Sequence, residues 1–310
     1  MTFRDRRWLR GSIVTVLVVL SSVFARPQDA GVKTYPTYRA AAAAFVAAVK
    51  AKDDAALKEI LGAEAQGMLS SGDATGDEND RATFLKHYEE AHGFVRQSED
   101  KVLLTVGTTG WPLPFPIVKV GGAWHFDALE GAKELSYRRI GQNELDAIRV
   151  VRALRVAQKE YAATGHDGNP AGAYAQRFRS SPGTQDGLYW ETKEGEAESP
   201  AGVLVAQSTS EGYESSQQTG KRTPFHGYFF RILKAQGSYA PGGAKDYVKD
   251  GRMTGGFAIL AFPAEYGASG VMTFIAGPRG PVYQKDLGDG TAEAARTITF
   301  NPDSSWKRVP

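Results

Sequence analysis

Two hydrophobic periods alternate along this chain. From Tyr38 to Lys50, in an alanine-rich run, Phe45, Val46 and Val49 fall on one side of a 3.6-residue repeat, which predicts a helix. Asp53 is placed to cap a second helix over 54–61, which Gly62 ends. After a polar acidic loop over 70–80, a third helix is predicted from about Glu78 to His92, with Phe84, Leu85 and Tyr88 as its stripe. Beyond Gly93 the period falls to two. Lys101–Thr109, Ile117–Val120 and Ala123–Ala128 read as strands, the last two joined by Gly121-Gly122. Between them Trp111-Pro-Leu-Pro-Phe-Pro116 is stiff and extended, because each proline fixes φ and removes a donor.

The helical period returns over Asn143–Ala163. Leu145, Ile148, Val151, Leu154, Ala157 and Tyr161 make an apolar stripe, Asn143 is a good N-cap, and Arg149, Arg152, Arg155 and Lys159 form a basic ridge that reads as a solvated face. A loop follows Gly165, then an acidic surface loop over 191–200. Residues 202–207 fit a strand or a helix, and 213–223 is polar. Four runs rich in aromatic and β-branched residues come next: Phe225–Leu233, Gly256–Pro263, Val271–Ala276 and Val282–Leu287. Both faces of the first carry apolar bulk, which predicts that both are covered. The expected class is α+β. Helices with a curved antiparallel sheet fill 36–135, and a long helix on a four-stranded antiparallel sheet fills 140–310.

Charge and composition add the compartment. The chain carries a net charge of +2, but Arg4, Arg6, Arg7 and Arg10 against Asp5 supply a surplus of three near the start, so the remainder is one charge negative. Global charge therefore gives no support to a nucleic-acid partner. That basic start, the short apolar run Ile13–Phe24 and the small residue Ala25 read as a signal peptide over 1–25, followed by a flexible tail over 26–35. The apolar run is short for a membrane span, so none is expected once the signal is removed. There are no cysteines, which excludes disulfides, thiolate metal sites and a cysteine nucleophile. The periplasm is the compartment these facts predict.

Candidate chemistry gathers at the ends of the last strands. His226 and Tyr228 open the first, Glu265 and Tyr266 follow the second, and Tyr239 and Tyr247 lie in the glycine-rich loop over 237–255. If the two strands pair, His226 and Glu265 share one end of the sheet. A His–carboxylate pair there can move a proton or hold a polar ligand, while the plainer reading has both groups bonding backbone at tight turns. Trp111, His125 and Asp127 form a second candidate group in the first module. Asp73, Asp77, Asn79 and Asp80 are oxygen ligands suited to calcium, but the glycine and distal glutamate of an EF-hand loop are missing, so they read as a capping loop. No phosphate-binding glycine loop, zinc helix or Gly-x-Ser-x-Gly turn is present. No catalytic residue, metal or cofactor is assigned.

Three resemblances follow from these segments. Helices ahead of a hairpin ending in Trp124-His-Phe-Asp127 resemble the cone-shaped folds related to nuclear transport factor 2, which can hold a ligand. The helix, loop and sheet over 143–287 resemble the soluble half of type IV pilins and pseudopilins, without the apolar stem that builds a filament. The runs TPFHGYFFRILKAQG, YAPGGAKDYV, MTGGFAILAFPAEYGASGVMTFI, WPLPFPIVK, WHFD and RRIGQNELDAI resemble the bacterial secreted family called domain of unknown function 2950. That last resemblance implies the layout and supplies no chemistry. The expected function is a binding or accessory protein of the cell envelope, partnered by an envelope protein or glycan. The alternative is a hydrolase or isomerase acting on a cell-wall or small-molecule substrate through a His/carboxylate pair.

Overall fold

A computed structural model describes residues 32–62, 71–213 and 223–309. The expected signal peptide, most of the tail after it and most of the polar segment over 213–223 lie outside the described residues. The fold is α+β, with antiparallel sheets throughout.

The first lobe is built from α1 (Tyr38–Ala51), α2 (Asp54–Leu61) and α3 (Ala74–Glu90). They lie with a sheet of β1 (His92–Ser98), β2 (Lys101–Val106), β3 (Trp111–Pro112), β4 (Ile117–Val120) and β5 (Ala123–Phe126), ordered β1-β2-β4-β5 with β3 on β2. Thr37 and Asp53 cap α1 and α2 by accepting the Ala40 and Ala56 amides. The core is aromatic at its centre: the Phe45 ring lies 5.7 Å from Phe84 and 5.3 Å from Phe126. Tyr35, at the end of the expected tail, exchanges two backbone bonds with Trp124 of β5. The acidic stretch expected as a loop is largely helix. Asp73 caps α3, so the helix starts at Ala74 and not near Glu78, and it stops before β1, a strand the hydrophobic period does not reveal. Phe94 and Val95 are adjacent in β1 and most of the strand is exposed, so no alternation marks it.

One helix, α4 (Ala128–Ala163), continues from the first lobe into the second. Asp127 caps it by accepting the Glu130 amide at 3.0 Å. The expected start at Asn143 is fifteen residues late, and Asn143 spends its side chain on a cross-element bond, donating from Nδ2 to the Ser269 carbonyl at 2.9 Å. Between residues 133 and 146 no side chain of α4 is buried, so the apolar stripe fades just where the helix passes from one core to the other. From Ala147 onward Val151, Leu154, Ala157 and Tyr161 are buried again.

That second half packs on β11 (Ala258–Pro263) and β12 (Met272–Ala276), the middle of a sheet ordered β14-β13-β12-β11-β6. Its other members are β6 (Tyr228–Leu233), β13 (Tyr283–Asp286) and β14 (Lys307–Arg308), which makes the sheet one short strand wider than the four runs predict. All six residues of β11 are buried, and α6 (Thr291–Thr297) packs against it as well as α4. The ambiguous stretch is helix α5 (Gly202–Ser210). Between β6 and β11 the two-residue strand β7 (Ala235–Gln236) precedes the glycine-rich loop, which itself contains β8 (Lys245–Asp246), β9 (Val248–Lys249) and β10 (Arg252–Met253), paired β7 with β8 and β9 with β10. Among the described residues no helix is long and apolar enough to cross a membrane.

Two glycines of α4 predict opposite effects of one substitution. A Cβ at Gly131 would fall 2.6 Å from the Phe115 Cα, whereas one at Gly141 meets nothing within 4 Å. In chemical denaturation Gly131→Ala is expected to destabilise the fold by about 1–3 kcal/mol through overpacking. Gly141→Ala is expected to stabilise it by about 1 kcal/mol through helix propensity.

Candidate functional site

The residues with the most chemistry converge where α3, the middle of α4, the end of α5 and the start of β6 meet. Asp73 lies at the base. It is 2% exposed, and its carboxylate accepts three donors: the Gly76 amide at 3.0 Å, the Tyr213 hydroxyl at 2.9 Å and the Gly227 amide at 2.9 Å. The first is the cap of α3; the other two come from the second lobe. Burial raises the Tyr213 phenol far above its usual range, and the charge of Asp73 adds to the effect.

Gly227 belongs to a tight turn that sets the next side chain. Phe225 and Tyr228 exchange backbone bonds at 2.9 and 3.1 Å around His226 and Gly227, both at positive φ (+49° and +69°). Such two-residue hairpin turns favour Asn-Gly. A histidine in the left-handed region is uncommon, and strain of this kind costs on the order of 1–3 kcal/mol. The turn directs the imidazole between two carboxylates: Nε2 lies 3.1 Å from Glu211 Oε2, and Nδ1 lies 4.0 Å from Asp146 Oδ2.

These groups line a cleft of about 450 Å³, together with Asn79 and Asp80 of α3 and Arg139 and Gln142 of α4. Arg139 holds Asp77 at 3.6 Å behind the wall. Asp146 is engaged by Gln142 at 2.9 Å and by Arg149. Asn79 Nδ2 reaches across to the Glu211 carbonyl at 2.8 Å. Asp80 lines the cleft and is itself exposed. Desolvation raises its carboxyl above the usual aspartate range; Arg139 opposes the shift, and Asp77 and Asp73 reinforce it.

The first predicted group does not assemble. His226 alone of its six members lines the cleft. Tyr228 is buried in the second core with its hydroxyl on the Met272 carbonyl at 2.9 Å. Tyr247 is buried too, its hydroxyl bonded to Gln236 and its ionisation pushed up to about 12 by that burial. Tyr239 is 67% exposed, and Tyr266 bonds Asp286 at the surface. Glu265 lies against Gly72, where a Cβ would come within 2.6 Å of its side chain, and the carboxylates facing His226 are Glu211 and Asp146 instead. The second group separates as well. Trp111 is exposed under the Arg138 guanidinium at 5.1 Å, His125 is buried in β5 opposite Val118, and Asp127 caps α4. Of the acidic stretch weighed for calcium, Asp73 caps a helix and Asp77 pairs with Arg139. Among the described residues no group of three or more His, Asp or Glu is placed to hold a metal. Glu211, Asp146 and Tyr213 escape sequence reasoning because each looks like an ordinary helix or loop residue; His226 beside Gly227, in a turn that favours Asn-Gly, was the available signal.

A family model described as protein of unknown function (DUF2950) matches residues 32–309. The chain belongs to the DUF2950 family. No curated protein and no solved structure matches this DUF2950 member.

Because folding raises the Asp80 carboxyl, the ionised form opposes folding at neutral pH, and this cost disappears once the group is protonated in both states. Asp80→Asn is therefore expected to raise the Tm at pH 7. The gain should shrink to nothing as the pH falls below the ordinary aspartate value of about 3.9. Tyr213→Phe, which removes a buried donor to a carboxylate, is expected to cost about 1.5–3 kcal/mol in urea unfolding.

Proposed function

We propose that this DUF2950 protein is an exported binding or accessory protein of the cell envelope, and that its cleft takes a polar ligand carrying a positive charge. The observation that carries the reading is the convergence of Asp80, Asp146, Glu211 and His226 from four separate stretches of chain around one cleft. A folded chain gains nothing in stability from the desolvated carboxylate of Asp80 or from the left-handed His226, and such locally unfavourable choices mark functional sites. Acidic groups outnumber basic ones in the cleft, and a bound ammonium or guanidinium would offset their mutual repulsion. A ligand held inside the first lobe, as the expected cone-like fold would allow, has no room, because Phe45, Phe84, Phe115 and Phe126 pack together there, and the ligand is therefore assigned to the cleft. The exported, periplasmic setting rests on the basic, then apolar, start of the chain.

An acid–base enzyme is the weaker reading. The groups nearest the His226 nitrogens are the cleft's own carboxylates, Glu211 at 3.1 Å and Asp146 at 4.0 Å, which fits charge balance within the cleft better than proton transfer to a ligand.

The reading is tested by titrating the protein with a synthetic peptide bearing a free lysine side chain, and with the same peptide in which glutamate replaces lysine. Calorimetry should show saturable binding of the first alone. The double variant Asp80→Asn, Glu211→Gln should weaken it about tenfold or more, as loss of charge-assisted bonds of about 1.5–3 kcal/mol each requires. Equal binding of the two peptides, or none, would sink it.

A further inference from the structure

We infer that α4 is hinged at Gly141, and that bending there opens and closes the cleft. The inference rests on the cleft being the ligand site for its purpose, though not for its mechanics.

The two hydrophobic cores are separate. The first ends along α4 near Leu135, which packs on its rim, and the second begins at Ala147. Between them the helix buries no apolar residue and is held by polar side chains, Arg138 and Arg139 on Pro112 and Asp77 of the first lobe and Asn143 and Glu144 on Ser269, Val271 and Met272 of the second, with Gly141 between the two sets. Glycine is the poorest helix former after proline, about 1 kcal/mol less favourable than alanine, because its backbone keeps the most freedom to leave the helical conformation. Close packing commonly explains a helical glycine, as it does at Gly131 against Phe115. No such contact exists at Gly141, so the lost stability has no packing counterpart.

Among the described residues, the attachments between the lobes outside α4 include two groups of polar contacts. At the base, Asp73 binds Tyr213 and Gly227, and Gly72 lies against Glu265. At the mouth, Asn79 bonds the Glu211 carbonyl in an exposed position. The buried base and the glycine define an axis. Rotation about it keeps the Asp73 bonds and breaks the Asn79 bond, and this carries Asp80 away from Glu211 and His226. Hinges of this kind absorb motion at a few positions while both cores move as rigid bodies.

The absence of cysteine makes the motion directly measurable. Spin labels at Lys119→Cys in β4 and Glu293→Cys in α6, both exposed positions on opposite lobes, report the interlobe distance by pulsed electron resonance on the full chain without ligand. Two populations are expected, and Asn79→Ala should enlarge the more separated one. Gly141→Ala should remove that population in either background while raising the Tm. If Gly141→Ala leaves the distance distribution of both backgrounds unchanged, or if one narrow distance persists throughout, the hinge is overturned. A failed peptide titration with an intact two-population distribution would instead overturn the ligand and leave the hinge standing.

Discussion

The structure depends on one buried carboxylate. Asp73 is almost wholly removed from water, and a charge so placed is tolerated only when donors surround it. It has three, from the first turn of α3, from the segment after α5 and from the turn that starts β6. Each bond to a charged acceptor contributes on the order of 1.5–3 kcal/mol, and the loss of any one leaves the charge underserved. The same atoms thus begin a helix, join two lobes and fix the turn that carries His226. The neighbouring glycine, at φ +78°, leaves room for Glu265 in a conformation other residues rarely adopt.

Around that point several local preferences are violated together. His226 takes a backbone conformation suited to asparagine or glycine, Gly141 occupies the middle of a helix without a neighbour that demands it, and Asp80 keeps a carboxylate where burial penalises the charge. Elsewhere local chemistry and fold agree: Thr37, Asp53 and Asp127 are orthodox caps, and β11 is apolar throughout because it is covered throughout. The contrast, more than any single residue, separates the cleft from the scaffold.

Much of the scaffold was legible in the sequence. The alanine-rich first helix, the Gly121-Gly122 hairpin, the strands of the second sheet and the apolar stripe from Ile148 to Tyr161 all follow from periodicity, because one face of each is buried. What escaped had no period to read. β1 is an exposed strand; residues 133–146 of α4 bury nothing; α3 begins among acidic residues that serve as its cap and as ion-pair partners and carry no apolar stripe. The candidate site was half legible for the same reason. His226 was visible, being one of five histidines and next to a turn glycine, but its partners were assigned by neighbourhood in the sheet. The sheet does pair β6 with β11, yet the chain outside it, through Glu211 and Asp146, supplies the carboxylates.

The reach of the Asp73 bonds also governs how the chain assembles. Its partners Tyr213 and Gly227 lie 140 and 154 residues further on. Closing loops of that length carries an entropy penalty that no single bond repays, so these bonds form only after the second core has brought their ends together. During synthesis the first lobe emerges with a carboxylate that has its own Gly76 amide, while the other two donors have not yet been made. It acquires its final rigidity from the last-formed half of the protein, and the two lobes therefore mature as a pair instead of in succession.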